Sequence, residues 1–255
     1  MKLLLTISYV GTRFHGFQSQ PGLRTVQGSF QEAAERLFSK KLLITGCSRT
    51  DARVHANNFC LTAETADGSP LPAIPPEKLP LAIAPLLPPD IALLSAKRVD
   101  DSFHARYDVE YKEYVYIILN RPVRDPFLAD RAYHFPVKLD AFLMDCAAKK
   151  FIGRHDFSAF MAQGSKVVST VRTIKSFDVV RDGETVRITV SADGFLYNMV
   201  RILAGTLVAV SEGRIEISDI EKIIASGDRR LAGATLPPDG LYLNRVVYRQ
   251  TPPEN

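Results

Sequence analysis

The chain has 255 residues, 46% of them hydrophobic, enough for one large domain or two small ones sharing a cleft. A net charge of +4 and a pI near 8.9 permit a polyanionic partner through local basic patches but do not demonstrate one. Cys47, Cys60 and Cys146 have neither CxxC nor Cys/His spacing, which excludes a disulfide framework and structural zinc and fits a reducing cytoplasm. Apolar runs such as Leu3 to Leu5 and Leu207 to Val210 fall far short of the roughly 20 residues that span a bilayer, so no membrane segment is expected. The opening Met1-Lys2-Leu3-Leu4-Leu5 is read as a first strand, because Ser8 and Tyr9 interrupt it and no small-residue cleavage site follows.

Leu3 to Tyr9 is rich in β-formers. Thr25 to Ser39 then carries Val26, Phe30, Ala33, Ala34 and Leu37 at the spacing of an amphipathic helix. Strands are predicted over Leu42 to Thr45 and Asn58 to Ala63, a Pro-bounded helical stretch over Pro76 to Leu87, and a strand over Ile91 to Val99. Ala66 to Pro75 reads as a flexible loop, and Val99 to Asp108 as the link to a second half. That half begins with Tyr111 to Leu119, a strand of alternating aromatics, followed by a helix from the N-cap Asp140 to Phe151. Strands follow at Val171 to Val180 and Val186 to Ser191, a long apolar helix over Phe195 to Val210, a short one over Ser218 to Ala225, and a closing strand over Leu241 to Tyr248.

The order β-α-β-β-α-β therefore occurs twice. It predicts an α+β fold of two ferredoxin-like halves, residues 1–104 and 105–255, whose helices pack on one side of a joined, mixed or antiparallel sheet and leave a cleft on the other.

Between two strands, where a short turn would suffice, lies the polar segment Gly46-Cys47-Ser48-Arg49-Thr50-Asp51-Ala52-Arg53-Val54-His55-Ala56. Loops of this kind often carry function. On turn chemistry alone the plainer reading leads, with Thr50 and Asp51 forming an Asx-type turn and Arg49 a solvated charge.

Arg49-Thr50-Asp51-Ala52-x-Val54-His55-Ala56 resembles the catalytic signature of the TruA family of tRNA pseudouridine synthases, usually Gly-Arg-Thr-Asp-(Ala/Lys)-Gly-Val-His-Ala. The resemblance extends, in family order, through Tyr9-x-Gly11-x-x-Phe14-x-Gly16, Phe103-His104-Ala105-Arg106, Lys112-x-Tyr114-x-Tyr116, Gly153-x-His155-Asp156-Phe157, Gly194 to Arg201 and Gly240-Leu241-Tyr242-Leu243. It covers essentially the whole chain.

The resemblance implies isomerisation of uridine to pseudouridine in the anticodon arm of tRNA, at positions 38, 39 and 40. It also implies a homodimer and no cofactor, and neither a metal nor a nucleotide-binding motif is present in the sequence. Asp51 is then the carboxylate that attacks the uridine, either at the base or by assisting loss of the base from the sugar. Arg201 is the arginine that would keep it ionised, since an opposite charge nearby lowers a carboxyl pKa by about 1–3 units. Tyr114 is the active-site tyrosine, a stacking platform and candidate proton acceptor; alternating strand tyrosines are also ordinary core packing. The target must leave its stack to be reached, and Arg49 resembles the residue that fills the vacated space. Arg53, Arg106, His55 and Arg24 complete the expected substrate-contacting set, although His55 and His104 also read as satisfied structural histidines with no second metal ligand at the right spacing. Lys40, Lys41, Arg154, Lys166 and Arg172 are further basic residues able to track a phosphate backbone.

Four positions depart from the family pattern. Arg53 and Ser48 replace glycines, Val10 an aspartate and Phe17 a tryptophan. If the glycine at position 53 has a positive φ, Arg53 must adopt it at a cost of order 1 kcal/mol. These departures keep a second class open, a catalytically silent tRNA-binding or tRNA-folding module of the same fold. A third class, a ferredoxin-like enzyme of small metabolites, predicts no salt-dependent tRNA affinity.

Overall fold

In a computed structural model of the protein, residues 2–164 and 167–249 are described. They form an α+β structure of two compact units, Met1–Glu110 with Leu243–Asn255, and Tyr111–Tyr242. The division falls six residues later than the expected 104/105 boundary, and the chain returns to the first unit at Leu243. The cause lies in the segment expected to be a linker, whose residues 103–108 are tied into the first unit. The Ala105 carbonyl accepts the Tyr248 hydroxyl (3.0 Å), and the Asp108 carbonyl accepts the Arg249 N–H (3.1 Å).

The first unit runs β1 (Lys2–Tyr9), α1 (Val26–Phe38), β2 (Leu42–Gly46), β3 (His55–Thr65), α2 (Leu79–Ile83) and β4 (Ile91–Val99). Helix α1 starts where predicted: the Thr25 hydroxyl accepts the Gly28 N–H at 3.2 Å. It stops at Ser39, which is left-handed. Its buried stripe is Val26, Phe30, Ala33, Ala34 and Phe38, with Phe38 instead of Leu37 at the last position. Strand β3 is the centre of the sheet. β1 pairs antiparallel along one edge, with Leu5 opposite Leu61, and carries β4 on its far side. Along the other edge β2 pairs from Leu42/Thr65 to Gly46/Leu61, and β10 (Leu241–Tyr248) lies beside the beginning of β3, where Asn58 donates to the Asn244 carbonyl at 3.0 Å. The order β4-β1-β3-β2 is that of a split β-α-β fold.

The second unit runs β5 (Val109–Leu119), β6 (Tyr133–His134), α3 (Ala141–Lys149), β7 (Gly153–Asp156), β8 (Val171–Asp182), β9 (Thr185–Ala192), α4 (Met199–Ser211) and α5 (Ile220–Ser226). Its strands are ordered β5-β9-β8-β7, all antiparallel, with the two-residue β6 parallel to β5. Strands β6 and β7 are too short to leave a period in the sequence. Helix α4 begins at Met199 and not at the expected Phe195. Asn198 takes the left-handed conformation (φ 58°), which no residue inside an α-helix adopts, and Tyr197 and Asn198 form a turn before the helix. From Met199 to Val210 every residue of α4 except Arg201 is buried, so the helix is the core element of its unit. Among the described residues no helix is long and apolar enough to cross a membrane.

Candidate active site

The Asp51 loop joins β2 to β3, and its shape is fixed by backbone packing from the segment that follows β1. The Phe17 N–H donates to the Thr50 carbonyl at 3.1 Å and the Arg53 N–H to the Phe14 carbonyl at 3.1 Å. Two glycines make this possible. A Cβ on Gly11 would lie 2.0 Å from the Val54 carbonyl oxygen, and one on Gly16 (φ +89°) 2.7 Å from the Thr50 oxygen. Only a residue without a side chain lets two backbones approach this closely. The Tyr9 hydroxyl shares a buried 2.7 Å hydrogen bond with the Thr50 hydroxyl, pinning the residue before Asp51.

Asp51 itself is half-buried, and its carbonyl accepts the Val54 N–H at 3.2 Å, closing a turn around Ala52 and Arg53. Arg53 has φ 68°, the positive value anticipated for a position where a glycine is usual. Holding a side chain there costs about 1 kcal/mol, yet both of the loop's neighbouring backbone hydrogen bonds are kept. Ser48 is not in the left-handed region, so replacing a glycine there carries no such strain. Phe17 stacks on Phe59 at 4.2 Å and fills the space beside Gly46, where a Cβ would come within 2.4 Å of its ring.

The expected substrate contacts divide. Arg49 is exposed on the loop and forms no hydrogen bond or ion pair with the described residues. Arg106 is also exposed. His55 is only 1% exposed, and its Nδ1 accepts the Gly11 N–H at 3.0 Å. The expectation of a substrate contact at His55 is therefore corrected: a side chain without accessible surface supports the loop from behind. Arg24 makes a two-pronged surface pair with Asp90 (2.8 and 2.9 Å) and lies over the Phe14 ring at 4.2 Å. Lys166 lies outside the described residues.

In the second unit Tyr114 sits on β5 opposite Val190, 6% exposed, with Phe195 edge-on at 5.0 Å. Tyr116, two residues on, is wholly buried and donates to the Pro237 carbonyl at 2.7 Å. Burial pushes its phenol far above the usual range, so it is a fixed neutral donor.

Arg201 is the third residue of α4 and half-buried. Its Nε donates to the Leu236 carbonyl at 2.6 Å and its Nη1 to the Asn198 side-chain oxygen at 2.7 Å. The strand of chain that supplies Leu236 is pressed onto α4. A Cβ on Gly205 would lie 1.9 Å from the Ala234 oxygen, and the Gly233 N–H donates to the buried Thr206 hydroxyl at 2.9 Å. Asn198, Leu236, Gly205 and Gly233 were not singled out for these supporting roles. Apart from Asn198, three residues from Arg201, they act through contacts 27 to 35 residues apart, which leave no local pattern. Among the described residues no group of three His, Cys, Asp or Glu side chains could hold a metal ion.

Residues 5–108 and 147–249 match the family model described as tRNA pseudouridine synthase. A tRNA pseudouridine synthase A of Thermoanaerobacter sp. (strain X514) is 42% identical over 246 residues, 96% of this chain and 99% of its own length. That of Ruminiclostridium cellulolyticum is 43% identical over 248 residues, 97% of this chain and 99% of its own length. Similarity of this extent, with residues of both units matched, establishes that the chain belongs to the tRNA pseudouridine synthase family.

Proposed function

We propose that this chain isomerises uridine to pseudouridine in the anticodon arm of tRNA, at positions 38, 39 and 40, with Asp51 as the nucleophile. As a member of its family it is an isomerase that forms pseudouridine in tRNA. In that reaction the N1–C1′ bond breaks, the uracil turns, and a C5–C1′ bond forms. The C5 proton is lost and N1 gains one, so nothing is oxidised or reduced. Asp51 adds its carboxylate to the base or assists departure of the base from the sugar. Tyr114 stacks on the uracil and accepts a proton at the sugar, and Arg201 keeps the carboxylate ionised. Arg49 takes the place of the extruded nucleotide, with Arg53 and Arg106 on the phosphates. The protein works as a homodimer in the cytoplasm.

The observation that most supports this reading is the loop around Asp51. Its backbone is locked by Gly11, Gly16, Phe14 and Phe17, while Arg49, two residues before Asp51, is exposed and has no ion-pair partner among the described residues. Preorganisation of a nucleophile, with a neighbouring cation left available, suits a bound polyanion. A silent binding module has no use for so constrained a carboxylate.

Tritium release from tRNA labelled at uracil C5 tests the proposal, with product located by primer extension after carbodiimide blocking. Asp51→Ala is expected to lower release by about a thousandfold or more, since nucleophile removal costs at least that in comparable enzymes, while tRNA affinity stays within about threefold. Full activity in Asp51→Ala, or product outside the anticodon arm, overturns the assignment. Binding without release by the wild type moves the chain to the silent class.

A further inference from the structure

We propose that Tyr107 and Arg106 form a second nucleotide-binding position, in which an unpaired base of the tRNA stacks on the Tyr107 ring and slides beneath the Arg106 guanidinium. The inference rests on the reading of the chain as a tRNA enzyme and adds to it a residue and a recognised group.

Tyr107 is 67% exposed, an unusual state for an aromatic ring in a segment otherwise tied down. The ring is not loose. His104 lies against it at 4.3 Å with a 36° tilt. His104 in turn accepts the backbone N–H groups of Arg106 (3.1 Å) and Tyr107 (3.3 Å) on Nδ1, and its backbone N–H donates to the Asp108 carboxylate at 2.7 Å. Below this turn Ala105 is buried and accepts the Tyr248 hydroxyl, and Phe103 packs on the Tyr248 ring at 4.9 Å. The platform is thus rigid before anything binds, which lowers the ordering cost of binding.

The Arg106 guanidinium stands 5.7 Å from the centre of the Tyr107 ring and forms no ion pair among the described residues. That separation is too wide for a close stack and little short of the roughly 7 Å that a base between two planes needs, at about 3.4 Å per stacking step. A small outward swing of a flexible, exposed side chain opens the slot. The ring then offers a π-face to any base, and the guanidinium offers stacking plus a charge for the adjoining phosphate. Both residues belong to the same unit as Asp51, and Tyr248 under the turn is hydrogen-bonded to Cys60, whose carbonyl accepts the N–H of Cys47, at the start of the Asp51 loop, at 2.9 Å. A nucleotide held there is anchored on the unit that carries the nucleophile.

The test compares wild type with Tyr107→Ala, Tyr107→Leu, Tyr107→Phe and Arg106→Gln, measuring tRNA affinity by filter binding and KM and kcat by tritium release. Tyr107→Ala and Tyr107→Leu are expected to raise Kd and KM about tenfold with kcat within about twofold, in line with one base stack. Tyr107→Phe, which keeps the π-face, should return both to within about twofold of wild type. Arg106→Gln should weaken binding and lower the slope of log Kd against log salt by about one. Wild-type affinity in both Tyr107→Ala and Tyr107→Leu overturns the proposal, as does a Tyr107→Phe protein as weak as Tyr107→Leu. If the wild type binds tRNA but releases no tritium, the enzymatic reading falls while the binding comparison still decides the platform. Absence of tRNA binding by the wild type overturns both.

Discussion

The Asp51 loop and the Arg201 region hold their charged residues in different ways. Around Asp51 the constraint is backbone on backbone, with glycines at 11 and 16 admitting a neighbouring carbonyl where any side chain would collide. Around Arg201 the constraint is side chain on backbone, a guanidinium gripped by Leu236 and Asn198 across a loop that glycines press onto α4. Backbone packing fixes a short acidic side chain to within the play of two torsions. A long arginine has four torsions to arrest, and hydrogen bonds to both sides of its fork arrest them.

The comparison can be broken most forcefully at the glycines. Gly11→Ala in the first unit and Gly205→Ala in the second each place a methyl carbon within 2.0 Å of a carbonyl oxygen. Each should cost about 2–4 kcal/mol, read as a lower midpoint in urea. Equal stability of either variant with wild type would show that the neighbouring backbone yields to a methyl group without cost. A smaller effect is expected at Asn198. Asn198→Gly keeps the left-handed φ but removes the acceptor for Arg201, whereas Asn198→Ala loses both. Urea titration should rank wild type, Gly and Ala in falling stability, about 1 kcal/mol apart. Tritium release should already drop in the glycine variant if the fork must be held.

Arg53 sharpens the contrast from the opposite direction. Arg53→Gly relieves about 1 kcal/mol of left-handed strain and should raise the melting temperature by about 2 °C, whereas Arg53→Val should lower it. An unchanged melting temperature in Arg53→Val would remove the strain argument.

The mildest test uses acid. Asp145 is held below the usual carboxylate range: burial pushes its pKa up, but hydrogen bonds from Lys149 and the Val179 N–H and the nearby Lys149 charge outweigh it. A depressed folded-state pKa contributes stability above the unfolded value, near 3.9, and loses it as pH falls through the folded value. The stability difference between wild type and Asp145→Asn should therefore shrink below about pH 4, measured by urea titration across pH.

Much of this was legible in the sequence. Both helices with clear amphipathic or capping signals, α1 and α3, lie within two residues of their expected bounds, and the strand from Ile91 to Val99 is as read. The loop at 46–56 stood out because eleven residues, mostly polar, occupy a strand-to-strand turn. What the sequence did not reveal depends on distant partners. His55 looks like an RNA contact until its burial against Gly11 is seen. Phe195 to Asn198 look helical because their apolar spacing continues that of α4, and only the left-handed Asn198 breaks it. The boundary at 104 missed because Ala105 and Asp108 are claimed by Tyr248 and Arg249, well over a hundred positions away.

The return of the chain to the first unit at Leu243 also sets a timetable for its birth. Tyr111 to Tyr242 are all translated before the strand beside Asn57 and Asn58 exists. At about 5–20 residues per second that is a delay of about 7 to 26 seconds. During it the nascent first unit carries an open sheet edge next to the loop of its own nucleophile, the stretch of its life when a chaperone would find the most to hold.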